Sequence, residues 1–267
     1  MTDERPIGMF DSGFGGLTVA RAVIDLLPGE DLVYIGDTGR YPYGPRPLEE
    51  VKQFAHELAW SLVREFDAKL VVVACNTASA AAYHELAAEL PVPLMEVIEP
   101  GVRSLVQATR SGSVGVIGTV GTIASGAYDK AVQETGADVA LTSAACPGLV
   151  EFVERGETSG PQIEILTERL LAPVKDAGVD ALLLGCTHYP YLARVISDVM
   201  GPEVVLVSSA DETAFAVRRM LEDTGLGSGR RHGGTHRFLS SGDVAWFADL
   251  GRRLLGPELA HATRWTP

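Results

Sequence analysis

No stretch of this 267-residue chain approaches the ~20 uninterrupted apolar residues of a membrane-spanning helix. Its acidic start, Met1-Thr2-Asp3-Glu4-Arg5-Pro6, has no apolar run of the kind a signal peptide needs. A cytoplasmic protein without a membrane partner is expected. Positive charge is scarce: 22 Lys and Arg face 35 Asp and Glu, for a net charge of -13. That balance argues against nonspecific nucleic-acid binding, and an anionic ligand would need a local source of positive potential. Cysteine is scarce as well. Cys75, Cys146 and Cys186 are odd in number, widely spaced and without a Cys-x-x-Cys pair, which fits free thiols in a reducing compartment better than a disulfide scaffold. The Lys-Ser/Thr of a phosphate loop and the full spacing of a dinucleotide fingerprint are also missing.

What is present is an α/β pattern. Short β-branched runs (6–10, 31–35, 70–74, 94–97, 113–118, 138–142, 181–185 and 204–207) alternate with amphipathic stretches (17–27, 48–66, 78–90, 163–177 and 191–200). The alternation predicts doubly wound, mostly parallel sheets. The length suits two domains of roughly 100 to 150 residues, and we expect one from residues 1–98 plus 208–267 and the other from 99–207. The Pro100-Gly101 pair marks the crossing. The tail, with a helix over 211–224, a polar loop over 225–234, a short strand and a helix over 244–255, is expected to pack back on the first domain.

Two strands end alike: Leu70-Val71-Val72-Val73-Ala74-Cys75-Asn76-Thr77 and Ala181-Leu182-Leu183-Leu184-Gly185-Cys186-Thr187-His188. Residues 7–13 align with 114–120 at an offset of 107, and the cysteine strands at 111, which points to an internal repeat. The residue just past a strand's carboxyl end lies in the ligand crevice of such a fold, so each repeat presents one thiol to a shared cleft. A lone cysteine after a strand is usually an inert core residue. Two at equivalent places, each followed by hydrogen-bonding side chains and a helix start, favour thiolate chemistry. Zinc on Cys75, Cys186 and His188 ranks below acid/base work, because no close ligand pair is present; no metal is expected.

Other segments have bland readings beside functional ones. Asp11-Ser12-Gly13 offers amides to an anion or simply caps a helix. Arg40 either serves an acidic ligand or pairs with Asp37, and Tyr43 is either a lid or a packing residue. Thr119 and Thr122 are caps or hydroxyl donors into the cleft. Cys146 has no counterpart and is expected to be structural, and Glu154 is a solvated carboxylate by default.

Taken in order, Phe10-Asp11-Ser12-Gly13-Phe14-Gly15-Gly16, Gly36-Asp37-Thr38, Tyr41-Pro42-Tyr43-Gly44, Ala74-Cys75-Asn76-Thr77-Ala78 and Leu184-Gly185-Cys186-Thr187-His188-Tyr189-Pro190 resemble the cofactor-independent aspartate/glutamate racemase family, and glutamate racemase within it. The resemblance implies two pseudo-symmetric α/β domains around a buried cleft, glutamate as substrate, D-glutamate supply for peptidoglycan, no cofactor and a homodimer. It implies Cys75 and Cys186 as the two bases, with Asp11 beside the first and Glu154 and His188 near the second. Ser12, Tyr43, Gly44, Asn76, Thr77, Thr119, Thr122 and Thr187 would hold the substrate together with Asp11 and His188. Glu151, one helical turn from Glu154, competes with it for the carboxylate role.

Physical reasoning agrees. Racemisation removes a proton from one face of Cα and returns one to the other, so the sulfurs should lie about 6 to 7.5 Å apart across it, one thiolate and one thiol. Aspartate and hydantoin racemases share the cleft thiols, but the loop around Asp37 and Tyr43 resembles the glutamate enzyme more closely. Arylmalonate decarboxylase uses one position only. A two-lobed binder of small acids has no use for matched thiols, and a redox dithiol leaves the surrounding motifs unexplained.

Overall fold

The computed structural model describes residues 2–266. Ten strands run β1 Ile7–Asp11, β2 Leu32–Gly36, β3 Leu70–Val73, β4 Leu94–Glu96, β5 Ser113–Gly118, β6 Ala140–Ala145, β7 Ala181–Gly185, β8 Val205–Ser208, β9 His236–Ser240 and β10 Ala262–Arg264. The helices are α1 Leu17–Leu26, α2 Leu48–Phe66, α3 Asn76–Glu89, α4 Ile98–Ala108, α5 Val120–Ala124, α6 Ala127–Thr135, α7 Leu149–Glu154, α8 Pro161–Asp176, α9 Ala193–Met200, α10 Ser209–Thr224 and α11 Val244–Leu255.

All pairings are parallel, in a six-stranded sheet ordered β10-β9-β2-β1-β3-β4 and a four-stranded sheet ordered β6-β5-β7-β8. Strands buried on both faces read as continuous apolar runs, and β1, β2, β3 and β7 are buried at every residue. Alternation then divides each strand between two cores. Ile7 and Met9 face a core shared with α1, α10 and α11, whereas Phe10 faces one shared with α2 and α3. In the second sheet Leu182 and Leu184 meet α7, α8 and α9, while Val114, Val116 and Leu183 meet α4 and α6.

Each sheet sets its first strand between its second and third. The register pairs Ile7 with Leu70 and Val114 with Ala181, the correspondence that the offsets predict for a repeat. Three local differences from the sequence reading have physical causes. Pro100 and Gly101 belong to the first turn of α4, where a missing amide hydrogen costs nothing; the absent Gly101 side chain lets α4 approach Ser209 and Leu183. Residue 138 begins no strand: β6 starts at Ala140 and runs on through the polar Thr142 and Ser143. The helix expected from Tyr191 opens as a 3-10 turn over Tyr189–Leu192 with Pro190 in it.

Candidate active site

The carboxyl ends of β1, β2, β3, β5, β6 and β7 converge on one cavity between the two sheets. Cys75 follows β3 with extended dihedrals and is the N-cap of α3, so the strand passes into the helix at the sulfur and the first-turn amide of Ala78 points at it. Cys186 follows β7 in the same way, before the 3-10 turn. Both thiols are free, buried and in the wall of this cavity.

Of the residues singled out in the sequence, Ser12, Tyr43, Gly44, Cys75, Asn76, Thr77, Thr119, Cys186, Thr187 and His188 line the cavity. Asp11, Thr122 and Glu154 stand behind the wall. Asp11 is wholly buried, accepting the Gly13 amide at 2.7 Å and the Thr187 hydroxyl at 3.3 Å. Thr122, Thr77 and Thr119 form a hydroxyl triangle with sides of 2.9 to 3.1 Å that ties α3 to the second sheet. Glu154 lies 3.0 Å from His188 Nε2, and His188 Nδ1 lies 3.8 Å from the Cys186 sulfur. The carboxylate that reaches the wall itself is Glu151.

Two open alternatives close here. Arg40 pairs with Asp37 at 2.7 Å and with Glu57, and stacks 4.2 Å over Phe54, so it is engaged away from any ligand. Tyr43 does both: it lines the cavity while its hydroxyl donates to Asp37. The sequence reading missed Tyr41, whose ring lies 6.5 Å from that of His188 in the wall. It also set Cys146 aside as structural, yet Cys146 lines the cavity; the rule that exposes residues after a strand applies equally to the end of β6 at Ala145.

Burial dominates the electrostatics of the wall. Burial pushes the Cys75 thiol up to about 12, and the neighbouring Asp11 charge adds to this against hydrogen bonds from Ala78 and Ser12. Burial also pushes Asp11 upward. His188 goes the other way for a buried base. Desolvation opposes its charge, but contacts with Cys186 and Glu154 outweigh that and raise it to about 10. No lysine or arginine lines the cavity among the described residues. Its positive potential therefore comes from His188 and the amino end of α3.

The two halves meet closely. A Cβ on Gly15 would lie 2.5 Å from His188 Nδ1 and closer still to Thr187 Oγ1, and one on Gly44 would lie 2.8 Å from Thr119 Cβ. The Gly121 amide also donates to the Gly44 carbonyl at 2.9 Å. Among the described residues no three His, Cys, Asp or Glu side chains cluster so as to hold a metal ion.

Comparison with known proteins matches this arrangement. Residues 16–217 fit the family model for Asp/Glu/hydantoin racemases. The chain is 55% identical over 255 residues to a glutamate racemase of Parafrankia sp., covering 95% of this chain and 92% of that one. It is 50% identical to the glutamate racemase of Corynebacterium glutamicum, covering 95% and 93%. Among solved structures, a glutamate racemase from Bacillus anthracis superposes with a TM-score of 0.93 at 39% identity, covering 99% and 98%. One from Francisella tularensis in complex with D-glutamate gives 0.91 at 31%, again covering 99% and 98%. With its fold and most of its length accounted for in this way, the chain belongs to the Asp/Glu/hydantoin racemase family of isomerases.

Proposed function

We propose that the protein interconverts L- and D-glutamate by passing the Cα proton between Cys75 and Cys186. The observation that carries this reading is the meeting of two thiols, one from each sheet, in the wall of a single cavity, with an imidazole 3.8 Å from one of them. The choice of glutamate is supported by the relatives that bear that name and by the D-glutamate complex of the Francisella tularensis enzyme.

Burial favours the protonated form of Cys75, and His188, raised to about 10, lies 3.8 Å from the Cys186 sulfur. The resemblance assigns the directions: Cys186 takes the α-proton of L-glutamate, and Cys75 delivers one to the opposite face. The D-isomer reacts in the reverse sense, with Cys75 as base. Glu154 fixes the imidazole and shares its charge. Amides at the amino end of α3, and the hydroxyls of Ser12, Thr77 and Thr187 on turning from Cys75, the other threonines and Asp11, are the donors for the substrate carboxylates. Each donor in a dry site contributes ~3 kcal/mol toward the developing charge, by analogy with an oxyanion hole. Supply of D-glutamate to peptidoglycan and a homodimer, both from the resemblance, and a cytoplasmic location, from the widely spaced unpaired cysteines, complete the reading.

The test is incubation of purified protein with L-glutamate in D₂O without added cofactor, with aspartate in parallel. Deuterium entering at Cα while optical rotation decays toward zero is the expected result for glutamate. A binder of small acids would exchange none, and faster exchange into aspartate would reassign the substrate.

A further inference from the structure

Asn76, the residue after Cys75, lines the cavity. Its Nδ2 donates to the Tyr128 hydroxyl at 2.8 Å. Its Oδ1 has no hydrogen-bond partner among the described residues, although the residue is only 3% exposed. Tyr128 belongs to α6 of the second half, and its ring is buried with Val114, Val116 and Leu183. The same hydroxyl packs against Gly185, where a Cβ would come within 2.8 Å of it. One oxygen thus sits between the residue that follows Cys75 and the residue that precedes Cys186. No sequence motif had pointed to it.

We infer that Tyr128 is a positioning residue of the cleft, holding the Asn76 carboxamide by its nitrogen so that its oxygen faces the ligand. This rests on the reading of the cavity as a glutamate site. A fixed carbonyl oxygen in a dry wall accepts hydrogen bonds and donates none, and the donor group on glutamate is its ammonium, since both carboxylates are acceptors. A buried acceptor left unpaired is unfavourable and is relieved when a donor arrives. With one N–H pinned across the interface, the amide cannot flip to put its nitrogen where its oxygen stands. Glutamate then enters in one orientation, and its Cα is presented to both sulfurs.

Tyr128→Phe keeps the ring and removes the oxygen. The expected result is a KM for glutamate raised about tenfold while kcat changes less than about threefold, the signature of lost binding rather than lost chemistry. Competitive inhibition by glutarate, which lacks the ammonium, should stay unchanged or strengthen, so the preference for glutamate over glutarate collapses. In an Asn76→Ala background, Tyr128→Phe should have no further effect on KM, because the hydroxyl acts through that carboxamide. KM and the inhibition constant read folded molecules only, so partial unfolding does not mimic this pattern. Additive losses in the double variant, or an unchanged ratio of glutamate KM to glutarate inhibition constant in Tyr128→Phe, would reduce Tyr128 to a packing role. A wild type that exchanges no Cα hydrogen of glutamate removes the substrate reading and this inference with it, an outcome distinct from an active wild type with an indifferent Tyr128→Phe.

Discussion

His188 stands between a carboxylate and a thiol, with Glu154 Oε1 3.0 Å from its Nε2 and the Cys186 sulfur 3.8 Å from its Nδ1. Cys75 has no such partner and faces the buried Asp11 instead. Two sulfurs at equivalent points of a repeat therefore have unlike neighbours, an imidazole beside one and a buried carboxyl beside the other.

Cys75→Ser and Cys186→Ser should each lower racemisation by ~10³-fold or more, the upper range for a lost acid or base, because a hydroxyl gives up its proton far less readily than a thiol. Circular dichroism should report an unchanged fold. Chiral chromatography of product would settle the matter, and full activity in either single variant would end the two-base assignment.

The stability contributed by the His188 pair should depend on pH in a defined sense. The imidazole is raised from its ordinary 6.5 to about 10 in the folded protein, so its contribution is complete below pH 6.5 and is lost as pH rises through about 10. Melting curves of wild type and His188→Asn should therefore differ most at pH 6 and converge by about pH 10.5. A gap that held constant or widened over that range would show that the charged imidazole contributes nothing to stability.

Gly15→Ala should damage the site more than the fold. The added methyl would press on Thr187 and His188, displacing the loop that carries Cys186. A misplacement of about 1 Å can cost ~10²-fold in rate, whereas overpacking of this kind costs about 1 to 3 kcal/mol in stability. Steady-state kinetics beside urea unfolding would separate the two, and unaltered kcat/KM would mean that this contact is free to yield.

Lys69→Met should do the reverse. Lys69 is wholly buried, 2.6 Å from Glu30 and 2.7 Å from the Asp3 carbonyl, and Glu30 also accepts the Ser228 amide at 2.8 Å. Removing one partner of a buried pair typically costs about 3 to 5 kcal/mol, to be read from urea unfolding, while kcat at low temperature should stay near wild type. A Lys69→Met protein as stable as the parent would show that the pair holds nothing together.

The cysteine strands could be read directly because buried parallel strands advertise themselves as runs of Val, Leu and Ile, and the fold rule then places the next residue in the cleft. The same rule would have exposed Cys146, but β6 carries Thr142 and Ser143 and starts two residues later than its apolar pattern implied, so its end was misjudged and the thiol with it. Tyr128 was invisible for another reason. It is a buried residue in the first turn of α6, 52 positions from its partner Asn76, and nothing local distinguishes a tyrosine that packs from one that also holds an amide. The edge strand β10, three residues with two exposed, has no apolar alternation to read, and its pairing with β9 is set by tertiary context.

The chain leaves the six-stranded sheet after Glu96 and returns at Ser209, and the helices at these two passages, α4 and α10, lie packed against each other. The four-stranded unit is therefore joined covalently to its neighbour along one spine, as a cover is to a book, while hydrogen bonds alone close the fore-edge, among them Gly121 N–H to the Gly44 carbonyl and Thr77 to Thr119. Gly44, Thr77 and Thr119 belong to that edge and to the cavity wall at once, so any parting of the edge would also disturb the site.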